Sequence, residues 1–61
     1  MYQKYVELRD QNGVNDYRVA CETGITKSTF TDWKSGRSEP KLDKLQKIAD
    51  YFEVGIDYFI E

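Results

Sequence analysis

The hydrophobic positions of this chain recur at helical spacing, and the pattern predicts five helices and no strand. The clearest stripe is in residues 42–52, where one side of a helix carries Leu42, Leu45, Ile48, Ala49 and Phe52. Residues 2–12 carry a looser stripe that ends at the turn signal Asn12-Gly13. A short, mostly apolar segment at residues 56–60 predicts the last helix.

The rest of the chain is organised around residues 16–35, which predict two short helices joined by a tight turn. Val19 and Ala20 supply the inward side of the first helix, and the small Ala20 allows a close crossing. Gly24 favours the left-handed conformation that ends the first helix, and Gly36 offers a C-terminal stop to the second. Thr26 is expected to cap the next helix, because its hydroxyl can accept a hydrogen bond from a free backbone amide.

The second helix of this pair, about residues 27–34, has one apolar side and one polar side. Phe30 and Trp33 lie three residues apart and define its buried direction. At about 100° per residue, the opposite side carries a set of polar residues that we call the recognition face: Lys27, Ser28, Thr31 and Asp32. Such a helix suits the major groove of DNA, which is about 12 Å wide. We therefore expect these four residues to contact base edges. For Asp32 the alternative is an exposed carboxylate that stays away from the phosphates.

The other helix-boundary residues are consistent with the same prediction, an all-α fold of five helices in a single domain, residues 1–61. Asn15 is the expected cap of the second helix, and Asp16 lies near its positive end. Pro40 and its polar neighbours separate the third helix from the fourth. The expected core consists of Tyr5, Leu8, Val19, Ala20, Ile25, Phe30, Trp33, Leu42, Leu45, Ile48, Ala49, Phe52, Val54 and Tyr58.

The stretch from residue 16 to 35 resembles the helix-turn-helix of the lambda-type phage repressor and Cro family, also called the XRE-like family. The positions that carry the family pattern are Val19, Ala20, Gly24, Ile25, Phe30 and Trp33. Residues 40–52 and 54–59 resemble the fourth and fifth helices of the family. The resemblance implies a compact five-helix domain whose second and third helices form the helix-turn-helix. It also implies a sequence-specific regulator of transcription that binds double-stranded DNA, a repressor of phage or bacterial origin.

The resemblance further implies which residues touch the DNA backbone. In the family, the start of the second helix and the loop after the third helix contact phosphates. Those positions here are Asn15, Tyr17, Lys34, Ser35 and Arg37. Lys41 matches a position that approaches the minor groove in some relatives, and we assign it to the backbone as well. The chain departs from the family pattern at Asp16, an acid at a phosphate-contact position, and at Glu53, where the family has Gly.

The end of the chain corresponds to the two-fold contact of the family. Residues 56–60 carry more apolar surface than a small monomer covers easily, so Phe59 and Ile60 are the expected contacts between two copies. The two copies are expected to associate weakly as a homodimer in the absence of DNA. They are expected to associate tightly on a pseudo-palindromic operator with half-sites about 34 Å apart. The alternative is that this segment folds back onto the fourth helix.

The charge distribution changes what the net charge suggests. The net charge of −2 argues, taken whole, against a nucleic-acid partner. Residues 27–47, however, hold six basic and three acidic residues, whereas residues 48–61 hold four acids and no base. Because salt screens charges within about 8–10 Å, the basic middle can act apart from the acidic end.

The rest of the composition limits the other classes of function. One cysteine, Cys21, and no histidine exclude an internal disulfide and disfavour a closed metal site. We therefore expect that the protein binds no metal, no cofactor and no small-molecule substrate, and that it is not an enzyme. A lone thiol without a signal peptide fits the cytoplasm, and no apolar run approaches the roughly 20 residues of a membrane span. The alternative to a DNA-binding regulator is a protein-interaction module on the same fold, antitoxin-like or an antirepressor partner.

Overall fold

A computed structural model describes residues 1–60, and these residues form five α-helices and no strand. The helices are α1 (Tyr2–Gln11), α2 (Asp16–Thr23), α3 (Lys27–Ser35), α4 (Leu42–Phe52) and α5 (Asp57–Ile60). Helix α2 packs against both α3 and α4, and α5 packs against α1. The predicted all-α fold with α2 and α3 as an adjoining pair is confirmed. Within residues 1–60, no helix is both long enough and apolar enough to cross a membrane.

The ends of α2 and α3 follow the expected capping residues at three of four positions. The Asn15 side chain accepts a hydrogen bond of 2.9 Å from the Arg18 backbone amide. Gly24 ends α2 at φ 78° and Gly36 ends α3 at φ 82°, both in the left-handed region. These three caps are set by residues next to them in the chain, so the sequence alone predicts them.

The predicted side-chain cap of α3 is wrong. Thr26 occupies the N-cap position, but its side chain makes no hydrogen bond to a backbone amide. Its hydroxyl instead shares hydrogen bonds of 3.1 Å with the hydroxyls of Ser28 and of Thr29. We call these three side chains the hydroxyl cluster. The physical reason is competition, because two neighbouring hydroxyls offer the Thr26 side chain alternative partners.

Within the core, a set of aromatic rings joins α1, α3 and α5. Tyr5 and Phe30 are fully buried, with ring centroids 5.3 Å apart. The Trp33 ring lies 5.2 Å from the Tyr5 ring and 6.5 Å from the Phe59 ring. Aromatic pairs at such separations stabilise a core beyond the area that they bury. The buried hydrophobic residues are Tyr5, Leu8, Val19, Ala20, Ile25, Phe30, Trp33, Leu45, Ile48, Ala49 and Phe59.

Four expected core residues are not fully buried. Leu42 is 65% exposed, because it is the first residue of α4 and extends past the body of the domain. Phe52, Val54 and Tyr58 are partly buried and pack against the edge of the core. Helical periodicity predicts the side of a helix that faces inward, but it does not show where along the helix the core ends.

The assignment of Phe59 to a contact between two copies is corrected by its position. Helix α5 packs against α1, so Phe59 points inward and is 2% exposed. Ile60, the next residue, points in another direction because successive helical residues are about 100° apart, and it is 64% exposed. Of the two expected contacts, only Ile60 lies at the surface.

Helix α4 ends in a left-handed residue that is not glycine. Glu53 has φ 59° and ψ 42° at the C-cap of α4, and it is the only such non-glycine residue in the described part of the chain. The left-handed conformation costs a residue with a Cβ roughly 1–2 kcal/mol. The departure from the family pattern at Glu53 therefore carries local backbone strain.

Replacing Glu53 with Gly is expected to raise the free energy of unfolding by about 0.5–1 kcal/mol. Relief of the strain outweighs the larger entropy that glycine gives the unfolded chain. Urea denaturation measures the change. The control is Lys47→Gly at an exposed position inside α4, which is expected to destabilise by about 1 kcal/mol. Equal destabilisation by both substitutions would show that Glu53 is not strained.

Candidate nucleic-acid interface

Helix α3 separates its polar residues from its aromatic residues, as the sequence predicts. Lys27, Ser28 and Thr31 are exposed, and Asp32 is half-buried. Phe30 and Trp33 on the opposite side are buried at 0% and 4% exposure. The structure thus brings the four residues of the recognition face together on one surface. The packed rings behind that surface fix the position and direction of the helix.

The hydroxyl groups on the outer side of α3 already have partners inside the protein. The Thr31 hydroxyl donates to the Lys27 carbonyl oxygen at 3.4 Å, and the Ser35 hydroxyl donates to the Asp32 carbonyl oxygen at 3.0 Å. The Ser28 hydroxyl belongs to the hydroxyl cluster. What remains free to face a partner is the Lys27 ammonium group, the Asp32 carboxylate, the methyl group of Thr31 and the acceptor lone pairs of the hydroxyl oxygens.

Asp32 lies on the flank of α3 that faces the start of α4. It lines a surface depression of about 380 Å³ together with Glu39, Lys41 and Lys44. The depression thus holds two lysines and two acids, and within residues 1–60 no ion pair joins Asp32 to either lysine. Because the four groups together carry no net charge, they are expected to repel a phosphate backbone less than Asp32 alone would.

The loop after α3 holds exposed cations beside the recognition face. Lys34, Arg37 and Lys41 are all exposed, and none of them forms an ion pair within residues 1–60. The loop is fixed where it leaves the helix, because the Arg37 backbone amide donates to the Asp32 carbonyl oxygen at 2.9 Å. Ser35 is also exposed, and its hydroxyl donates a hydrogen bond to the same Asp32 carbonyl oxygen. These positions combine unpaired positive charge with a defined loop.

The start of α2 contributes two more exposed candidates. Asn15 is exposed at the N-cap, and Tyr17 is 65% exposed in the first turn. The cap bond from Arg18 to Asn15 leaves the side-chain amide nitrogen of Asn15 available as a donor. Arg18 itself is paired with Glu22 at 2.9 Å, so its charge is partly offset on the outer side of α2.

Asp16, between these two candidates, is turned toward α1. Its carboxylate accepts a hydrogen bond of 2.6 Å from the Tyr5 hydroxyl and one of 3.2 Å from the Arg9 guanidinium. Burial, and then the bond to Asp16, raise the pKa of Tyr5 well above its usual range, so the phenol stays protonated. Asp16 thus ties α1 to the start of α2. The acid that departs from the family pattern has a partner inside the protein.

The sequence does not predict this three-residue network. Its pattern marks Asp16 as an acid near a helix N-terminus, at a phosphate-contact position of the family, and Tyr5 as a core residue. Hydrogen bonds that span 7 and 11 residues of chain depend on how α1 crosses α2, which no local pattern specifies. The one signal available was the presence of an acid where a phosphate contact was expected.

Comparison with known families decides the relationship that the fold suggests. A family model described as helix-turn-helix matches residues 7–59, which include the second half of α1, all of α2, α3 and α4, and most of α5. The chain belongs to the helix-turn-helix family. This membership confirms the resemblance that the sequence shows to XRE-like regulators.

Relatives of this helix-turn-helix chain include proteins named as regulators of transcription. It is 32% identical over 53 residues to the cryptic phage CTXphi transcriptional repressor RstR of Vibrio cholerae, covering 87% of this chain and 48% of RstR. It is 29% identical over 58 residues to the uncharacterized HTH-type transcriptional regulator YobD of Bacillus subtilis, covering 95% of this chain and 52% of YobD. An uncharacterized HTH-type transcriptional regulator of Haemophilus influenzae is 38% identical over 47 residues, covering 77% of this chain and 19% of that protein. The chain therefore spans about half or less of the length of these relatives. No solved structure matches it significantly.

Proposed function

We propose that this helix-turn-helix chain is a transcriptional regulator that binds double-stranded DNA sequence-specifically, with α3 in the major groove. The observation that carries the proposal is the recognition face, a polar surface on a helix that Phe30 and Trp33 fix from behind. In this proposal the base contacts are Lys27, Ser28, Thr31 and Asp32. The names of RstR, YobD and the Haemophilus relative support a role in transcription.

Contacts to the DNA backbone are proposed for the exposed residues on both sides of α3. They are Asn15, Tyr17, Lys34, Ser35, Arg37 and Lys41. The Asn15 amide and the Tyr17 hydroxyl donate hydrogen bonds to phosphate oxygens, and the Ser35 hydroxyl does so by exchanging its bond to the Asp32 carbonyl oxygen. The lysines and the arginine add charge that displaces condensed counterions. The proposed domain is residues 1–61, and the proposed location is the cytoplasm, where a bacterial or phage regulator finds its DNA.

Selection of bound duplexes from a random pool tests the proposal. We expect enrichment of one sequence with two-fold symmetry and with half-sites about one helical turn apart. Recovery of unenriched sequences, with binding that does not change with salt, would favour the protein-interaction module. The observations that favour a protein-interaction module are the acidic residues of the chain and its sequence pI of about 5.0.

The proposal extends to a homodimer, with the contact moved from Phe59 to the surface around Ile60. A hollow of about 480 Å³ lies there, with Met1, Leu42 and Ile60 exposed at its edge. These three side chains are 38%, 65% and 64% exposed. Lys4 and Glu39 also line the hollow, and a two-fold contact that places Lys4 of each copy against Glu39 of the other would pair opposite charges twice.

Replacing Leu42 and Ile60 together with Ser is expected to lower cooperative binding to a full operator about tenfold or more. The two side chains are exposed, so the substitution removes apolar contact between copies without opening the core. Titration of duplexes with one and with two half-sites measures the effect. Affinity for the single half-site is the internal control and should not change. Equal losses on both duplexes would show that these residues do not pair the copies.

A further inference from the structure

Thr31 differs from the other hydroxyl residues on the outer side of α3 because it also carries a methyl group. Its hydroxyl faces back along the helix toward the Lys27 carbonyl oxygen, at an Oγ1 to oxygen distance of 3.4 Å. Threonine in a helix commonly makes this bond to the carbonyl four residues earlier. Because the two γ substituents diverge from one Cβ, the methyl group is directed away from that carbonyl.

The surroundings of Thr31 leave that methyl group open. The side chain is exposed, and the residue four positions earlier is Lys27 on the same side of α3. Four residues advance a helix by about 6 Å, which corresponds to roughly two steps of about 3.4 Å along a DNA strand. Thr31 and Lys27 therefore face different base pairs of one half-site when α3 lies in the groove.

The base that fits such a group is thymine. In the major groove, thymine alone among the four bases presents a methyl group, and apolar contacts with side-chain methyls recognise it. Adenine and cytosine present amino donors, which would instead need the oxygen of the Thr31 hydroxyl as an acceptor. In the structure that oxygen faces back along the helix toward the Lys27 carbonyl oxygen, and the methyl group is the substituent that faces away from it.

We propose that Thr31 determines specificity for one thymine in each half-site, through its γ-methyl group and not through its hydroxyl. The inference rests on the proposed function, since it requires α3 to lie in the major groove. It assigns a single chemical contact to a single residue, and the contact can be removed from either partner. The protein side loses its methyl group in Thr31→Ser, and the DNA side loses its methyl group when deoxyuridine replaces thymine.

The experiment uses the whole chain and the duplex selected from a random pool. Each thymine of one half-site is replaced in turn by deoxyuridine, and the dissociation constants are compared. We expect one position at which binding weakens about fourfold, the effect of one buried methyl group. A thymine outside the half-sites is the matched control and should show no change. If every thymine tolerates the replacement, the proposal is wrong.

Two variants then distinguish the methyl group from the hydroxyl. Thr31→Val keeps a methyl group and removes the hydroxyl, so it should retain the preference for thymine over deoxyuridine at that position. Thr31→Ser keeps the hydroxyl and should bind both duplexes alike. The opposite pattern, with Ser resembling the native chain and Val losing affinity for both duplexes, would overturn the proposal. Circular dichroism checks that both variants are folded, as expected at an exposed position.

These outcomes separate the inference from the proposed function. If the native chain binds no duplex, or binds duplexes with an affinity that does not change with salt, the proposed function is wrong. The thymine contact is then wrong as well. If the chain binds its selected duplex but no thymine responds to deoxyuridine, only the role of Thr31 fails.

Discussion

Replacing Phe30 with Ala is expected to lower the free energy of unfolding of the domain by about 3–5 kcal/mol. Phe30 is fully buried, and its ring lies 5.3 Å from that of Tyr5. Truncation of a buried phenylalanine costs about 3–5 kcal/mol, because transfer energy is lost and a cavity remains. A domain of this length has a total stability of about 3–9 kcal/mol. The substitution is therefore expected to remove between about a third of the stability and all of it.

Fluorescence of Trp33, the single tryptophan of the chain, reports this unfolding because the side chain is 4% exposed in the folded domain. We expect a shift of its emission to longer wavelength and a much lower urea midpoint in Phe30→Ala. The matched control is Thr31→Ala at the next position, which is exposed and should change stability by less than about 0.5 kcal/mol. Similar losses in both variants would mean that the two sides of α3 are assigned the wrong way round.

Affinity for a duplex half-site is expected to fall about 40-fold when the salt concentration rises from about 50 to about 200 mM. The estimate counts three phosphate contacts per copy, from Lys34, Arg37 and Lys41, and a slope of about −0.9 in log affinity against log salt for each. All three side chains are exposed, and within residues 1–60 none of them has an acidic ion-pair partner. Binding titrations at several salt concentrations give the slope.

Single substitutions identify the residues that produce the slope. Lys34→Ala and Arg37→Ala should each flatten it by about 0.9 and weaken binding to all sequences alike. Lys47→Ala is the control, an exposed lysine of α4 that lines a depression with Glu22 and Tyr51 instead of the surface beside α3. A slope that stays the same in all three variants would remove Lys34 and Arg37 from the phosphate contacts.

Local chemistry explains what the sequence predicts well. The spacing of Phe30 and Trp33 is enough to divide α3 into a buried and an exposed side, because helical geometry fixes the direction of each residue. Gly24 and Asn15 mark helix ends through bonds that reach only three or four residues along the chain. The fold and the composition of the recognition face follow from such short-range rules.

Long-range packing and local competition explain what the sequence does not predict. Phe59 is inside and Leu42 is outside because of how α5 and the start of α4 meet the body of the domain. The Asp16 carboxylate finds Tyr5 and Arg9 only after α1 has crossed α2. Thr26 is a residue type that commonly caps helices, but its hydroxyl forms hydrogen bonds with the neighbouring Ser28 and Thr29 hydroxyls instead. Residue type and spacing alone do not determine these contacts.

Base recognition by α3 is tested most directly by the effect of Lys27→Ala on specific and non-specific DNA binding. Lys27 is exposed at the first position of α3, where an ammonium group can reach the O6 and N7 acceptors of guanine. We expect affinity for the selected duplex to fall by about 1–3 kcal/mol, while affinity for a scrambled duplex of the same length falls much less. An equal loss on both duplexes would contradict the account, because Lys27 would then contact phosphates and the outer side of α3 would not recognise bases.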